Sequence, residues 1–237
     1  MARKRLDQYM GRLNPAQIAE GMNVALVNAK LLVDAANILY ENENYALAAS
    51  VATLSIEESG KVRILRSLAV ARNDKEVIQC WRDYRSHTKK NMMWPFLQLF
   101  AEGARRLNDF ASLFVEEAEH PFLLDQIKQL GFYSDCLGKA HWSNPKDIID
   151  KDLAKTIIKT AAIFARPHHV SEEEIKLWVK HMAPVWKGPK EHMEHGLVEW
   201  YKEMKDQGLI EGEADSMEDF IVSGMHNKDM PNSEREV

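Results

Sequence analysis

The feature that most constrains this chain is a long, regular spacing of apolar residues near its start. Ile18, Met22, Ala25, Ala29, Leu32, Ala36 and Leu39 step by three and four, which places them on one face of a helix. Asn14-Pro15 with Gln17 opens that helix, with Asn14 as the N-cap, Pro15 as the first helical residue and Gln17 three past the cap. The helix runs to about Tyr40. Glu-Asn-Glu-Asn (41–44) then has turn chemistry, and a second long helix carries Leu47, Val51, Leu54, Leu65 and Leu68. So short a link makes the two an antiparallel hairpin.

Helical signals continue to the end. Asn73-Asp74 starts a third helix with Val77, Ile78 and Trp81, which ends near Met92 because Pro95 turns Trp94 away from helical geometry. A fourth from Pro95 carries Leu97, Phe100, Ala104, Leu107, Ala111 and Phe114. Pro121 restarts a fifth, which fades between Gly131 and Gly138. Asn144-Pro145, Ser171-Glu-Glu-Glu174 and the segment 191–205 add more. Nothing alternates with period two for long enough to make a sheet. The expected fold is all-α, with a helical core over 14–137, a helical extension over 138–226 packed on it, and a frayed polar tail over 227–237.

Composition narrows the function. With 237 residues, 45% of them hydrophobic, and only 11 Gly and 8 Pro, the chain is neither disordered nor collagen-like. Cys80 and Cys136 lie far apart, which disfavours a disulfide scaffold or a thiolate zinc site and makes a reducing cytoplasm the expected location. No apolar run approaches the roughly 20 residues that span a bilayer, and no apolar stretch follows the basic start, so neither a membrane nor a signal peptide is expected. The net charge of −5 hides an asymmetry. Residues 61–90 hold nine cations against three acids, and 191–237 hold thirteen acids against four cations. The first zone can contact a few phosphates, although the chain as a whole is not basic enough to coat nucleic acid.

Several motifs fail on inspection. Gly60-Lys61 lacks the spacing and the strand-to-helix setting of a phosphate loop. His192-Met-Glu-His195 fits no metalloprotease pattern, and His168, His169, His181, His192 and His195 read as solvated helix-face residues, so no metal site and no cofactor is expected. Two constellations are more informative. Counting along Leu47, Val51 and Leu54 puts Glu58 on an apolar stripe, where a carboxylate must be paired, and Lys61 stands three residues away. Gly60 in the same helix is explained by close approach of another helix. The second constellation is Trp81-Arg-Asp-Tyr-Arg-Ser-His-Thr-Lys-Lys90, in which Arg82 and His87 bracket four residues. In an ideal helix those two lie about 140° apart, so a bend near the helix end has to bring them round. Asp83, four before His87, could orient the ring.

Ala25-Leu-Val-Asn-Ala-Lys-Leu-Leu-Val-Asp-Ala35, Tyr45-Ala-Leu-Ala-Ala, Ser55-Ile-Glu-Glu-Ser-Gly-Lys61 and Arg82-x4-His87-x-Lys89, in that order, resemble the AbiV-type abortive-infection family of the HEPN group, over roughly residues 20–95. The resemblance implies a HEPN-like antiparallel helical bundle that dimerises, with the Arg-x4–6-His motifs of two protomers facing one cleft. It further implies a metal-independent endoribonuclease of phage defence, with Arg82, His87 and Glu58 as the catalytic set and Lys61, Arg85, Lys89 and Lys90 as substrate contacts. Its partners would be RNA and an activating phage protein. A related toxin subgroup has Tyr two residues after the His; Lys89 stands there in this chain. The alternative is a non-catalytic HEPN module that arrests phage growth by binding a protein or RNA.

His87 suits the implied chemistry, because imidazole can take and give protons near neutral pH. Arg82 offers a planar, always-charged fork to phosphate oxygens. Trp81, Tyr84 and Trp94 are expected to pack in the core more than to stack on bases.

Overall fold

The computed structural model describes residues 7–115, 118–211 and 216–224. Asn14 caps α1 (Pro15–Glu41) by accepting from the Gln17 amide at 2.9 Å, while Gln17 Oε1 accepts from the Asn14 amide at 3.0 Å. Asn42 to Asn44 reverse the chain into α2 (Tyr45–Ala69), and the two helices form the most extensive pair in the molecule. The fold is all-α apart from one small hairpin.

Asn73 caps α3 (Asp74–Arg85), which stops well before Met92. Ser86 adopts an extended backbone (φ −82°, ψ 127°) and its Oγ accepts from the Lys89 amide, so it starts a second, four-residue helix, α4 (His87–Lys90). A serine hydroxyl competing for backbone donors is the physical reason for the break. The expected fourth helix is also interrupted. α5 (Phe96–Ala101) ends before Gly103, whose φ of +109° favours glycine, and a 3-10 helix covers Leu107–Phe114. α6 (His120–Phe132) then follows.

Two-residue strands at Cys136–Leu137 and His141–Trp142 pair antiparallel, too short to leave a period-two signature. After the single turn α7 (Pro145–Ile148), Asp150 caps α8 (Lys151–Phe164) by accepting from the Leu153 amide. Ser171 caps α9 (Glu172–Met182), and α10 (Lys190–Asp206) and α11 (Ser216–Val222) complete the chain described. The expected tail over 227–237 lies outside the described residues.

The main core joins Ala29, Val33 and Ala36 of α1, Ala48, Ala49, Ala52 and Ile56 of α2, and Ala154, Ile157, Ile158 and Ala161 of α8. Facing alanines let three helices approach closely, so the segment after residue 137 supplies one wall of the hairpin's own core. Arg66 ties α9 and α10 to α2: it pairs with Glu174 at 2.5 Å and lies against the rings of both Trp178 and Trp200, which touch each other edge to face. α1 buries one face and exposes another. Val24, Val27, Leu31 and Ile38 are each more than 60% exposed. Among the described residues, α1 alone is long and apolar enough by length and composition to cross a membrane. Polar residues interrupt its apolar ones, so no continuous run announced it.

Candidate functional site

The site begins with one buried carboxylate. Glu57 of α2 is 3% exposed, and a charge at that depth must be matched by donors. Three side chains supply them. Glu57 Oε2 accepts from His87 Nδ1 at 2.6 Å, Oε1 accepts from Lys128 Nζ at 2.6 Å, and Lys90 Nζ lies 3.3 Å from Oε2. Behind Lys128 stands Asp125, one turn back on α6, with an ion pair at 2.7 Å.

Two glycines make this convergence possible. A Cβ on Gly60 would fall 2.1 Å from the Lys90 carbonyl oxygen, so α4 lies directly on α2 at that point. A Cβ on Gly131 would fall 2.1 Å from Ser50 Oγ and 2.7 Å from the Ala46 oxygen, so α6 rests on α2 in the same way. Ser50 Oγ donates to the Lys128 carbonyl at 3.1 Å and fixes that contact. The sequence expectation of a close approach at Gly60 is met by backbone, one turn from Glu57.

Burial alone would raise the Glu57 carboxyl. Hydrogen bonds from Lys128 and His87 and the charge of Lys90 outweigh it and hold the group below the ordinary carboxylate value. Burial likewise opposes the charge on Lys128, and Asp125 with Glu57 outweighs it, raising that ammonium above the ordinary lysine value. Carboxylate and ammonium therefore coexist in the interior. Because Nδ1 donates to Glu57, His87 keeps Nε2 for other work. Its side chain is 55% exposed and, among the described residues, Nε2 has no bond.

The residues singled out in the sequence are distributed unevenly around this centre. His87 is in it. Glu58 is not: the carboxylate that meets His87 is Glu57, and Glu58 instead pairs with Lys61 at 2.5 Å, as the three-residue spacing suggested. The error has a cause. Leu47 is 41% exposed, whereas Ala46, Ala49, Thr53 and Ile56 are buried, so small residues mark the true inner face of α2 and the leucine count lands one position late. Asp83 accepts from Gln79 rather than orienting His87, since the break at Ser86 ends their shared helix. Arg82 is exposed and its guanidinium has no partner among the described residues.

Of the expected substrate contacts, Lys90 is 8% exposed and held against Glu57, which leaves it no path to a bound phosphate. Arg85 donates to the Tyr9 and Trp81 carbonyls and lies over the Trp81 ring. Lys61 lies over the Tyr84 ring. Lys89 has no side-chain partner among the described residues, so Arg82 and Lys89 are the free cations flanking His87. Trp81 is in the core and donates to the Gly11 carbonyl; Trp94 donates to that of His120.

Lys128 and Asp125 carried no sequence signal, because they join the site from a helix some forty residues downstream. Glu57, His87 and Asp125 also bring three ligand-type atoms within 4.8 Å of one another. Lys128 Nζ already sits against both carboxylates and supplies the positive charge that a cation would bring. His168, His169, His181, His192 and His195 are not gathered into such a group among the described residues; His168 meets Glu174 and His181 meets Glu203.

The family model of AbiV, in the HEPN group, matches residues 17–166. The chain belongs to the AbiV family. It is thereby a HEPN protein of the abortive-infection, phage-defence kind. The AbiV match spans every member of the Glu57 cluster and ends just past α8, so it takes in the third wall of the hairpin core. No curated protein and no solved structure matches the chain.

Proposed function

We propose that this AbiV-family protein is a metal-independent endoribonuclease in which His87 transfers the proton. The observation that supports the reading is the 2.6 Å bond from His87 Nδ1 to the buried Glu57 carboxylate. A carboxylate behind an imidazole fixes its tautomer and directs Nε2 at substrate, the arrangement of the serine-protease type of catalytic triad. In the neutral ring, Nε2 takes the proton of an RNA 2′-hydroxyl. The 2′-oxygen attacks phosphorus, the bond to the 5′-oxygen breaks, and that oxygen leaves with a proton from a second acid. Arg82 neutralises charge on the phosphorane oxygens and Lys89 holds a neighbouring phosphate.

One histidine cannot stand on both sides of the phosphorus at once. We propose a homodimer in which the second motif supplies the leaving-group proton, with the reaction in the cytoplasm and a phage protein as trigger. Purified protein incubated with total RNA in EDTA, beside His87→Ala, tests the reading. Cleavage by the wild type and at least a hundred-fold less by the variant is the expected result. Equal cleavage by both, or none by either, overturns it; defence against phage retained by His87→Ala would assign the chain to the binding alternative.

A further inference from the structure

Glu57 meets three cationic or donor side chains, and the Arg-x4-His motif contains only one of them. Lys128 comes from α6 and is the most deeply buried of the three, with a side chain 4% exposed. Its Nζ lies 2.6 Å from Glu57 Oε1 and also 3.3 Å from His87 Nδ1. Since Nδ1 carries the proton that goes to Glu57, the second distance joins two donors and is no hydrogen bond. It is the approach of a fixed cation to a ring that would itself become a cation.

The remaining charged neighbours can be counted element by element. α2 presents Glu57. α4 presents Lys90, turned to the same carboxylate, and Lys89. From α6 come Lys128 and Asp125, 2.7 Å apart. α3 ends with Asp83, bonded to Gln79, and the free Arg82. Glu57 and Asp125 against Lys90 and Lys128 make a buried group with no net charge. The His87 ring is thus placed between an anion that favours its protonated form and a cation at similar distance that opposes it.

We infer that Lys128, backed by Asp125, is a positioning residue that sets the charge state of His87 and selects which Glu57 oxygen faces its ring. It rests on the reading of His87 as the proton-transferring group. Occupying Oε1, Lys128 leaves Oε2 to the imidazole, and its charge beside Nδ1 opposes the imidazolium form, which favours the neutral ring that a general base requires. α6 becomes a working part of the site, meeting the motif both through Glu57 and directly at the His87 ring.

The test is the titration of the His87 imidazole in the full chain by NMR, its signal identified by its loss in His87→Ala. Lys128→Met removes the opposing cation, and the His87 midpoint is expected to rise by about one pH unit or more. Asp125→Asn leaves the Lys128 charge less compensated, and the midpoint is expected to fall. Lys128→Arg keeps the charge and should stay near the wild type. Opposite signs in the first two are something that a merely structural role would not produce. Midpoints unmoved, or moved the same way by both, overturn the inference. Should Lys128→Met fail to fold by circular dichroism, Asp125→Asn beside Lys128→Arg still decides, with an unchanged or raised midpoint in the former counting against it. No RNA enters the titration, so an inactive wild type refutes the ribonuclease reading alone, while cleavage with unmoved midpoints refutes this inference alone.

Discussion

A single position along α2 separates a carboxylate inside the molecule from one at its edge. Glu57 is closed in by His87, Lys90 and Lys128, whereas Glu58 shares an ion pair with Lys61 in which both side chains are 18% exposed. Replacing Glu57 with Gln removes the charge but not the volume, and leaves the Lys90 ammonium without its carboxylate and Lys128 with Asp125 alone. Breaking a buried pair in this way costs about 3 kcal/mol, and His87 loses the anion that orients it. Glu57→Gln is therefore expected to lower stability by about that amount and to abolish cleavage. Glu58→Gln is expected to cost less than about 1 kcal/mol and to leave cleavage intact, because a partly exposed i,i+3 pair contributes little. Urea denaturation and an RNA cleavage assay on both variants check this. Equal damage from the two would remove Glu57 from its assigned role.

At the scale of elements, the site depends on how closely two short helices lie on α2. Gly-to-Ala in a helix interior normally stabilises by about 1 kcal/mol. At Gly60 the added Cβ would meet the Lys90 carbonyl at 2.1 Å, and that oxygen is backbone, with no side-chain rotation to relieve the clash. Gly60→Ala should lift α4, lower the melting temperature and weaken cleavage by drawing His87 from Glu57. Gly21→Ala is the control: its nearest neighbour is Leu65 Cδ1 at 3.4 Å, ordinary contact, so the usual gain is expected. A stabilised Gly60→Ala would show that α4 is free to move. The same contact shows what the sequence could and could not reveal. Caps at Asn14, Asn73 and Ser171 and the periodicity of the hairpin are local, and the structure repeats them. The break at Gly103 is hidden because the apolar spacing of Phe100, Ala104 and Leu107 continues across it, and the break at Ser86 because residues 85–91 are all polar and carry no apolar period that could stop. His87, which the structure brings to Glu57, is legible from the local Arg-x4-His segment. Lys128 is not, since its burial against Glu57 follows from packing at Gly131 and Ser50, which no spacing encodes.

For the whole molecule, the open question is what covers the outer face of α1. Val24, Leu31 and Ile38 are seven residues apart, with Val27 between the first two, which is the repeat of a coiled-coil seam. Two Arg-x4-His motifs facing one cleft put α3 in the dimer interface, with apolar contacts from the long hairpin or the C-terminal helices needed to hold it. Of the large apolar residues on α3, Ile78 is 39% exposed, well short of the α1 residues. The apolar face therefore favours α1 as the element that holds the proposed dimer. Its pattern is also self-complementary. In an antiparallel pair centred on Leu31, Val24 lies opposite the partner's Ile38, Val27 opposite the partner's Ala35, and Asn28 opposite the partner's Asp34, so at these outward positions apolar meets apolar and polar meets polar. Burial rather than charge would maintain such a seam, and salt should not dissolve it. Light scattering is expected to give a dimer at both low and high ionic strength. Leu31→Lys sets two ammonium groups against each other on the axis and should yield a folded monomer. A wild type that is monomeric at both salt concentrations overturns the dimer, and with it the supply of the second proton from a partner protomer. A Leu31→Lys variant that stays dimeric moves the interface away from α1 and returns the expectation to α3.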